Sequence, residues 1–224
     1  MHKRKNSFVI FGIALILLVS CMKRSNHTST GKLATFFFLK ETVVDPIEMK
    51  EYVVDMEHGL IKSKIIDEVT FSAKYKPVDY IIANEIKENV ISKTVYKKMQ
   101  EELSGMQYFD LRIEIEKMNG ELLKYGLSTE AEYEERVNYL AFTIKDDIKL
   151  IDGSDTLNCV LHHFERVYDI VPYATILLGF KNYGNDLMHE KTLMYHDKLF
   201  GKGIIKFTFL PADLQSIPHL EIIS

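Results

Sequence analysis

The sequence predicts an α+β domain: an antiparallel sheet or sandwich with one long helix packed on it. Three observations carry this. Phe109, Leu111, Ile113 and Ile115 alternate strictly with Asp110, Arg112, Glu114 and Glu116, the period-two pattern of a half-buried strand. Several similar short runs follow, separated by turn residues. Between them lies one stretch, Val78–Leu103, with helical periodicity and no internal Gly or Pro. Strands with short turns plus a single helix point to helices segregated from an antiparallel sheet.

The chain opens on Met1–Ser7, which carries His2, Lys3, Arg4 and Lys5. Phe8–Val19 follows as an unbroken apolar run of 12 residues. A spanning helix needs roughly 20 such residues, because each rises about 1.5 Å against a core of about 30 Å. A basic start, a short apolar stretch and a small residue, Ser20, describe a secretory signal peptide over residues 1–20.

Leu18-Val19-Ser20-Cys21 resembles the signal of bacterial lipoproteins. The resemblance implies cleavage before Cys21, a diacylglycerol (with palmitate-type chains) on its sulfur, and an acylated new amino terminus. Two or more chains hold a protein stably, whereas one holds it marginally. Met22 and Lys23 follow, with no Asp at the second mature position and no acidic run. The resemblance therefore implies the periplasmic face of an outer membrane, with a Gram-positive surface as the alternative. Residues 21–32 are polar and read as a lipidated cysteine and flexible tether. Residues 33–224 read as a single globular domain.

Removing residues 1–20 leaves 204 residues, enough for one sizeable core. That part holds 25 basic and 32 acidic residues, a net charge of −7. Mild acidity without a basic stripe argues against nucleic acid and against a charge-driven hold on anionic lipid. There are two cysteines. If Cys21 is lipidated, Cys159 has no partner in the chain, so no disulfide framework is expected.

In chain order, Leu33–Leu39 reads as a first buried strand, and Asp45-Pro46 as a turn. Glu51–Tyr75 reads as strands, with His58-Gly59 a turn and Val69, Phe71, Ala73 and Tyr75 on one face. Pro77 starts the helix, and Ser104-Gly105 stops it. Val78, Ile81, Ile82, Tyr96, Met99 and Leu103 fall on one side, and Ile86, Val90, Ile91 and Val95 widen that surface. Asn119-Gly120 is a turn, and Ser128 an N-cap for a short acidic helix from Glu130 to Val137. Tyr139–Lys145 and Ile148–Ile151 read as strands, and Asp152-Gly153 turns the second into Thr156–His163. Ala174–Phe180, Thr192–His196 and Ile204–Leu210 are further strands, the last two joined through Gly201-Lys202-Gly203. Pro211–Ser216 makes one helical turn.

No catalytic, cofactor-binding or metal-ligating set emerges. His162 and His163 would point to opposite faces of a strand. Asp146, Asp147, Asp152 and Asp155 lack the spacing of a calcium loop. Gly201-Lys202-Gly203 lacks a phosphate-loop context. Glu101-Glu102 and Glu134-Glu135 diverge around their helices. Cys159, in a strand-like run, reads as a buried inert thiol. The site residue is thus Cys21 alone, as lipid attachment. Val69–Ala83 and Leu199–Phe209 are similar to segments of small lipoproteins of Bacteroidetes-type bacteria, which implies a lipoprotein domain and no reaction. The functional expectation is a non-enzymatic envelope lipoprotein that binds a protein partner. The alternative is a small-ligand or glycan binder using some of its Tyr residues. A third reading is a hydrolase whose groups converge only on folding.

Overall fold

The computed structural model describes residues 42–223, apart from 88, 89, 117, 119, 166–170 and 185. The signal segment, Cys21, the tether and the expected strand Leu33–Leu39 lie outside the described residues, as does Asn119 of the expected turn.

The chain pairs as β1 (Val43–Val44), then forms α1 (Pro46–Val54). This corrects the strand expected from Glu51. Asp45 accepts hydrogen bonds from the backbone N–H groups of Ile47 and Glu48, and Glu48 reaches back to the Asp45 N–H. That capping box, with Pro46 in the first turn, starts a helix. Met49 and Val53, four apart, are buried beneath it. β2 (Ile61–Ile66) and β3 (Val69–Lys76) form a hairpin.

The single long helix is also corrected. Val78–Glu85 forms α2 and Lys93–Leu103 forms α3, with the two-residue strand β4 (Ile91–Ser92) between them. Ile86 turns extended at φ −84°, ψ 137°. Ser92 then caps α3 through the Val95 N–H. A continuous helix would have carried Ile86, Val90 and Ile91 around too wide an apolar face. Breaking it buries Ile91 to 1% exposure.

β5 (Met106–Ile115) is the alternating strand, buried on one face throughout. α4 (Glu130–Asn138) is capped by Thr129, one residue later than expected, in a capping box with Glu132. The strand expected at Tyr139–Lys145 is instead helical. A π turn covers Tyr139–Thr143 and a 3-10 turn Ile144–Asp147. Leu140 and Ile144, four apart, face the core. The His162 ring meets the Ala141 carbonyl at 2.9 Å.

β6 (Ile148–Asp152) and β7 (Asp155–Asn158) form the expected hairpin, with Gly153 at φ +60°, where a side chain would be strained. The strand does not run on to His163. Cys159-Val160 carry the chain across to the other sheet, where β8 (Leu161–Glu165) pairs with β9 (Tyr173–Lys181). β10 (Lys191–Asp197) and β11 (Gly203–Phe209) form the expected hairpin. α5 (Pro211–Gln215) is one short helix. The short strands β12 (His219–Leu220) and β13 (Ile222–Ile223) follow.

Two antiparallel sheets result, ordered β2-β3-β5-β9-β8 and β11-β10-β6-β7. Their apolar faces meet. The Phe109 ring lies 5.5 Å from Phe209 and 5.8 Å from Phe180, and Phe71 lies 6.3 Å from Tyr195. Two parallel two-residue pairings, β1 with β12 and β4 with β13, tie the helical end together. Asp79 of α2 reinforces this end, accepting from the Tyr96 hydroxyl at 2.8 Å and the Leu220 N–H at 3.1 Å. The domain is α+β, with five α-helices and none long among the described residues.

Candidate binding face

The pleat that buries Phe71, Ala73, Phe109 and Leu111 turns their neighbours outward. The outward positions form a register-matched grid on the five-stranded sheet. Lys74 pairs across from Asp110, Ser72 from Arg112, and Arg112 from Thr175. Asp110 is shared: Lys74 and Lys76 each bring an ammonium to within 3.1 Å of it. Arg112 forks onto Glu114 through Nε at 3.0 Å and Nη2 at 2.9 Å. Its guanidinium carbon sits 3.5 Å from the centre of the Tyr173 ring. Such stacking fixes the plane of a guanidinium that two bonds already orient.

These charges are partly withdrawn from water, Asp110 to 14% side-chain exposure and Lys76 to 20%. Burial pulls the Lys74 ammonium down, but the Asp110 carboxylate and the Tyr80 hydroxyl outweigh it and raise its pKa above the ordinary lysine value. Lys74 therefore stays charged. Burial likewise pushes the Tyr108 phenol up. A hollow of about 190 Å³ opens among Ile61, Ser72, Lys74, Asp110, Arg112 and Thr175. Enclosed small-molecule sites run to roughly 300–1,000 Å³. This hollow accepts a side chain or a small polar group. The outward side carries Lys74, Lys76, Arg112 and Lys181 against Asp110, Glu114, Glu116 and Glu165, so the face is charge-balanced, with fixed charges of both signs.

The other sequence candidates are placed as follows. Cys159 is buried, and its thiol donates to the Leu161 carbonyl at 3.1 Å. Burial pushes that thiol up from its ordinary value, against smaller opposing contributions from backbone hydrogen bonds. A raised pKa leaves less thiolate at neutral pH, and the thiolate is the nucleophile. We expect a thiol reagent at pH 8 to modify Cys159 only after denaturant is added; rapid labelling of the folded chain would refute its burial. His162 turns inward to Ala141, whereas His163 is exposed. The four aspartates are dispersed. Asp147 takes Lys198 at 2.7 Å and the Tyr139 hydroxyl at 3.1 Å, Asp152 takes Lys191, and Asp155 is exposed. Among the described residues no group of three His, Cys, Asp or Glu is arranged to hold a metal ion. Gly201-Lys202-Gly203 is a hairpin turn. Glu101, Glu102, Glu134 and Glu135 are exposed.

Two buried polar clusters escaped the sequence reading. Asp197, 2% exposed, accepts from the Tyr195 hydroxyl and from the N–H groups of Leu199, Phe200 and Lys202. It organises the β10–β11 turn. Beside it, the Tyr139 and Tyr195 phenols are pushed above the ordinary range, first by burial, as is the Tyr96 phenol next to Asp79. A raised phenol holds its proton more tightly folded than unfolded. Its contribution to stability is therefore full below about pH 10, the free phenol value, and is withdrawn as pH rises beyond it. We expect tyrosinate absorbance to appear in two stages, with these three phenols ionising only as the chain unfolds. A single stage near pH 10 would contradict their burial.

The second cluster lies between the sheets. Lys191, fully buried, meets Asp152 Oδ2 at 2.9 Å, and Gln107 Nε2 donates to the same oxygen at 2.8 Å. Among the described residues Gln107 Oε1 and Asp152 Oδ1 have no hydrogen-bond partner.

Among the described residues no helix is long and apolar enough to cross a membrane. No protein-family profile, curated protein or solved structure matches this chain.

Proposed function

We propose that this chain is a cell-envelope lipoprotein, anchored through Cys21 at the periplasmic face of an outer membrane, that acts by binding an envelope protein. The observation that carries the binding reading is the outer sheet face. Lys74, Lys76 and Arg112 are held in place by Asp110, Glu114 and the Tyr173 ring, and the face presents fixed charges of both signs. Preorganised charge excludes wrong partners and fixes register on the right one. The fitting partner is a protein surface whose charges of both signs complement this order. A glycan or small-ligand reading would use the Tyr173 plate and the neighbouring hollow, which is small for an enclosed site. A thiol hydrolase is disfavoured by the protonated, backbone-bonded state of Cys159.

The test is in-cell crosslinking of the full-length chain, followed by affinity capture and mass spectrometry. We expect one or two stoichiometric envelope proteins, lost with Cys21→Ser. Lys74→Glu combined with Arg112→Glu should lower their recovery about tenfold, the factor that 1.4 kcal/mol represents. Lys206→Glu, on an exposed residue of β11 in the other sheet, should leave it unchanged. Recovery indifferent to the double reversal would overturn the assignment of this face.

A further inference from the structure

A second surface lies at the helical end, where the expected long helix breaks. Ile86, Val90, Ile91, Val95 and Ile223 line a hollow of about 320 Å³ there, with Lys87 and Ser92. Most of its apolar groups are in water: Val90 is 50% exposed, Val95 45% and Ile223 45%, and neighbouring Ile222 is 38% exposed. A contiguous apolar patch of this kind on a folded chain marks an interaction surface.

Its position indicates what covers it. The described chain begins at Thr42, whose carbonyl accepts the His219 N–H at 2.8 Å. Val43 then pairs with His219, and three residues later Ile222 pairs with Ile91 at the floor of the hollow. Three extended residues span about 10 Å at most. The chain arriving from Cys21 therefore joins the domain beside this patch, and Val43, 56% exposed, extends it. Lys87 lines the hollow, and Lys98 lies one turn beyond Val95 on the same flank of α3; both are exposed and neither is ion-paired among the described residues. Among the described residues Glu85 and Glu221 are exposed acids near it, and Glu102 follows Lys98 on that flank. Apolar groups with lysines at the rim suit the headgroup boundary of a bilayer, where the stems lie along the apolar layer and the ammonium groups reach phosphate.

We propose that this corner rests on the lipid surface that carries the anchor, so that the domain stands in a fixed orientation with its charged sheet face free for a partner. The proposal rests on the lipoprotein reading, because anchoring at Cys21 is what keeps the corner at high effective concentration near lipid. The acidity of the whole chain opposes a general hold on anionic lipid, so the contact is local and mainly apolar.

A single reporter cysteine tests it, since Cys159 is buried and Cys21 is taken up by lipid in this reading. Val95→Cys and, as control, Glu68→Cys in the exposed β2–β3 turn, at the end of β3 away from α2, would each carry an environment-sensitive fluorophore. The chain, as processed in cells, would be reconstituted in vesicles of phosphatidylethanolamine and phosphatidylglycerol containing a lipid-borne quencher. We expect strong quenching at 95 and little at 68, with most of the difference surviving high salt. Val90→Asp with Ile223→Asp should abolish the difference while leaving the melting curve in place. Equal quenching at both positions would overturn the proposal. So would a change at 95 that requires added envelope protein instead of lipid, which would make the corner a protein interface. Mass spectrometry of the amino-terminal peptide reads the anchor separately. An unlipidated Cys21 refutes the lipoprotein reading, whereas a lipidated Cys21 with unequal-quenching lost refutes the corner alone.

Discussion

Phe109→Ala is expected to destabilise the fold by about 3–5 kcal/mol, the range for removing a buried phenylalanine and leaving a partly collapsed cavity. Phe109 is fully buried at the centre of β5. Its ring touches Tyr75 at 5.2 Å, Phe180 at 5.8 Å and Phe209 at 5.5 Å. The first two lie on neighbouring strands of its own sheet, whereas Phe209 belongs to the opposite one. The substitution therefore removes one of the rings that join the two layers, as well as apolar area. Phe109→Leu keeps most of the volume and should cost well under half as much. Urea denaturation of both variants would check this. A loss below about 1 kcal/mol for the alanine variant would mean that the sheets do not meet at this ring.

Lys191→Ala is expected to cost about 3–5 kcal/mol, because removing one member of a buried ion pair strands the other. Lys191 is fully buried and Asp152 retains only 12% side-chain exposure. Without the ammonium, Asp152 keeps the Gln107 amide as its one remaining side-chain donor among the described residues. The carboxylate would then be left charged in a site with little water, or would take up a proton. Replacing the pair together, as Lys191→Met with Asp152→Leu, should restore much of the loss, since an apolar pair of similar volume avoids both desolvation penalties. The coupling in that double-mutant cycle is the quantity to measure. Additive losses would show that the two side chains act independently. Among the described residues Gln107 Oε1 and Asp152 Oδ1 have no hydrogen-bond partner. A neutral apolar replacement stands to gain there as well.

The charged sheet face was half legible. The alternation in Phe109–Glu116 assigned Asp110, Arg112 and Glu114 to the outer side without any structure, because side-chain direction in a strand depends only on position parity. That Asp110 would sit between Lys74 and Lys76, and that Arg112 would lie on Tyr173, depended on the register of β5 with β3 and β9. Register is set by matching whole apolar faces, which no single segment contains. Lys191 was illegible for the same reason. A lysine at the start of a strand reads as exposed, and its burial follows from a partner 39 positions away.

The sequence by itself determined the α+β class, the period-two strands and the β6–β7 and β10–β11 hairpins. Each rests on short-range rules: pleat parity and turn residues. The Asp45–Glu48 capping box was equally local and went unread. Only the tertiary structure decided where helices end and strands begin when both patterns were present. Val78–Leu103 has helical period throughout, yet pairing of Ile91 with Ile222 splits it. Tyr139–Lys145 has the β-branched and aromatic content of a strand, yet burial of Leu140 and Ile144 on one side makes it helical. In both segments local propensity differs by tenths of a kcal/mol per residue between the alternatives. Burying one large apolar side chain contributes about 1.5–3 kcal/mol, so the packing partner wins.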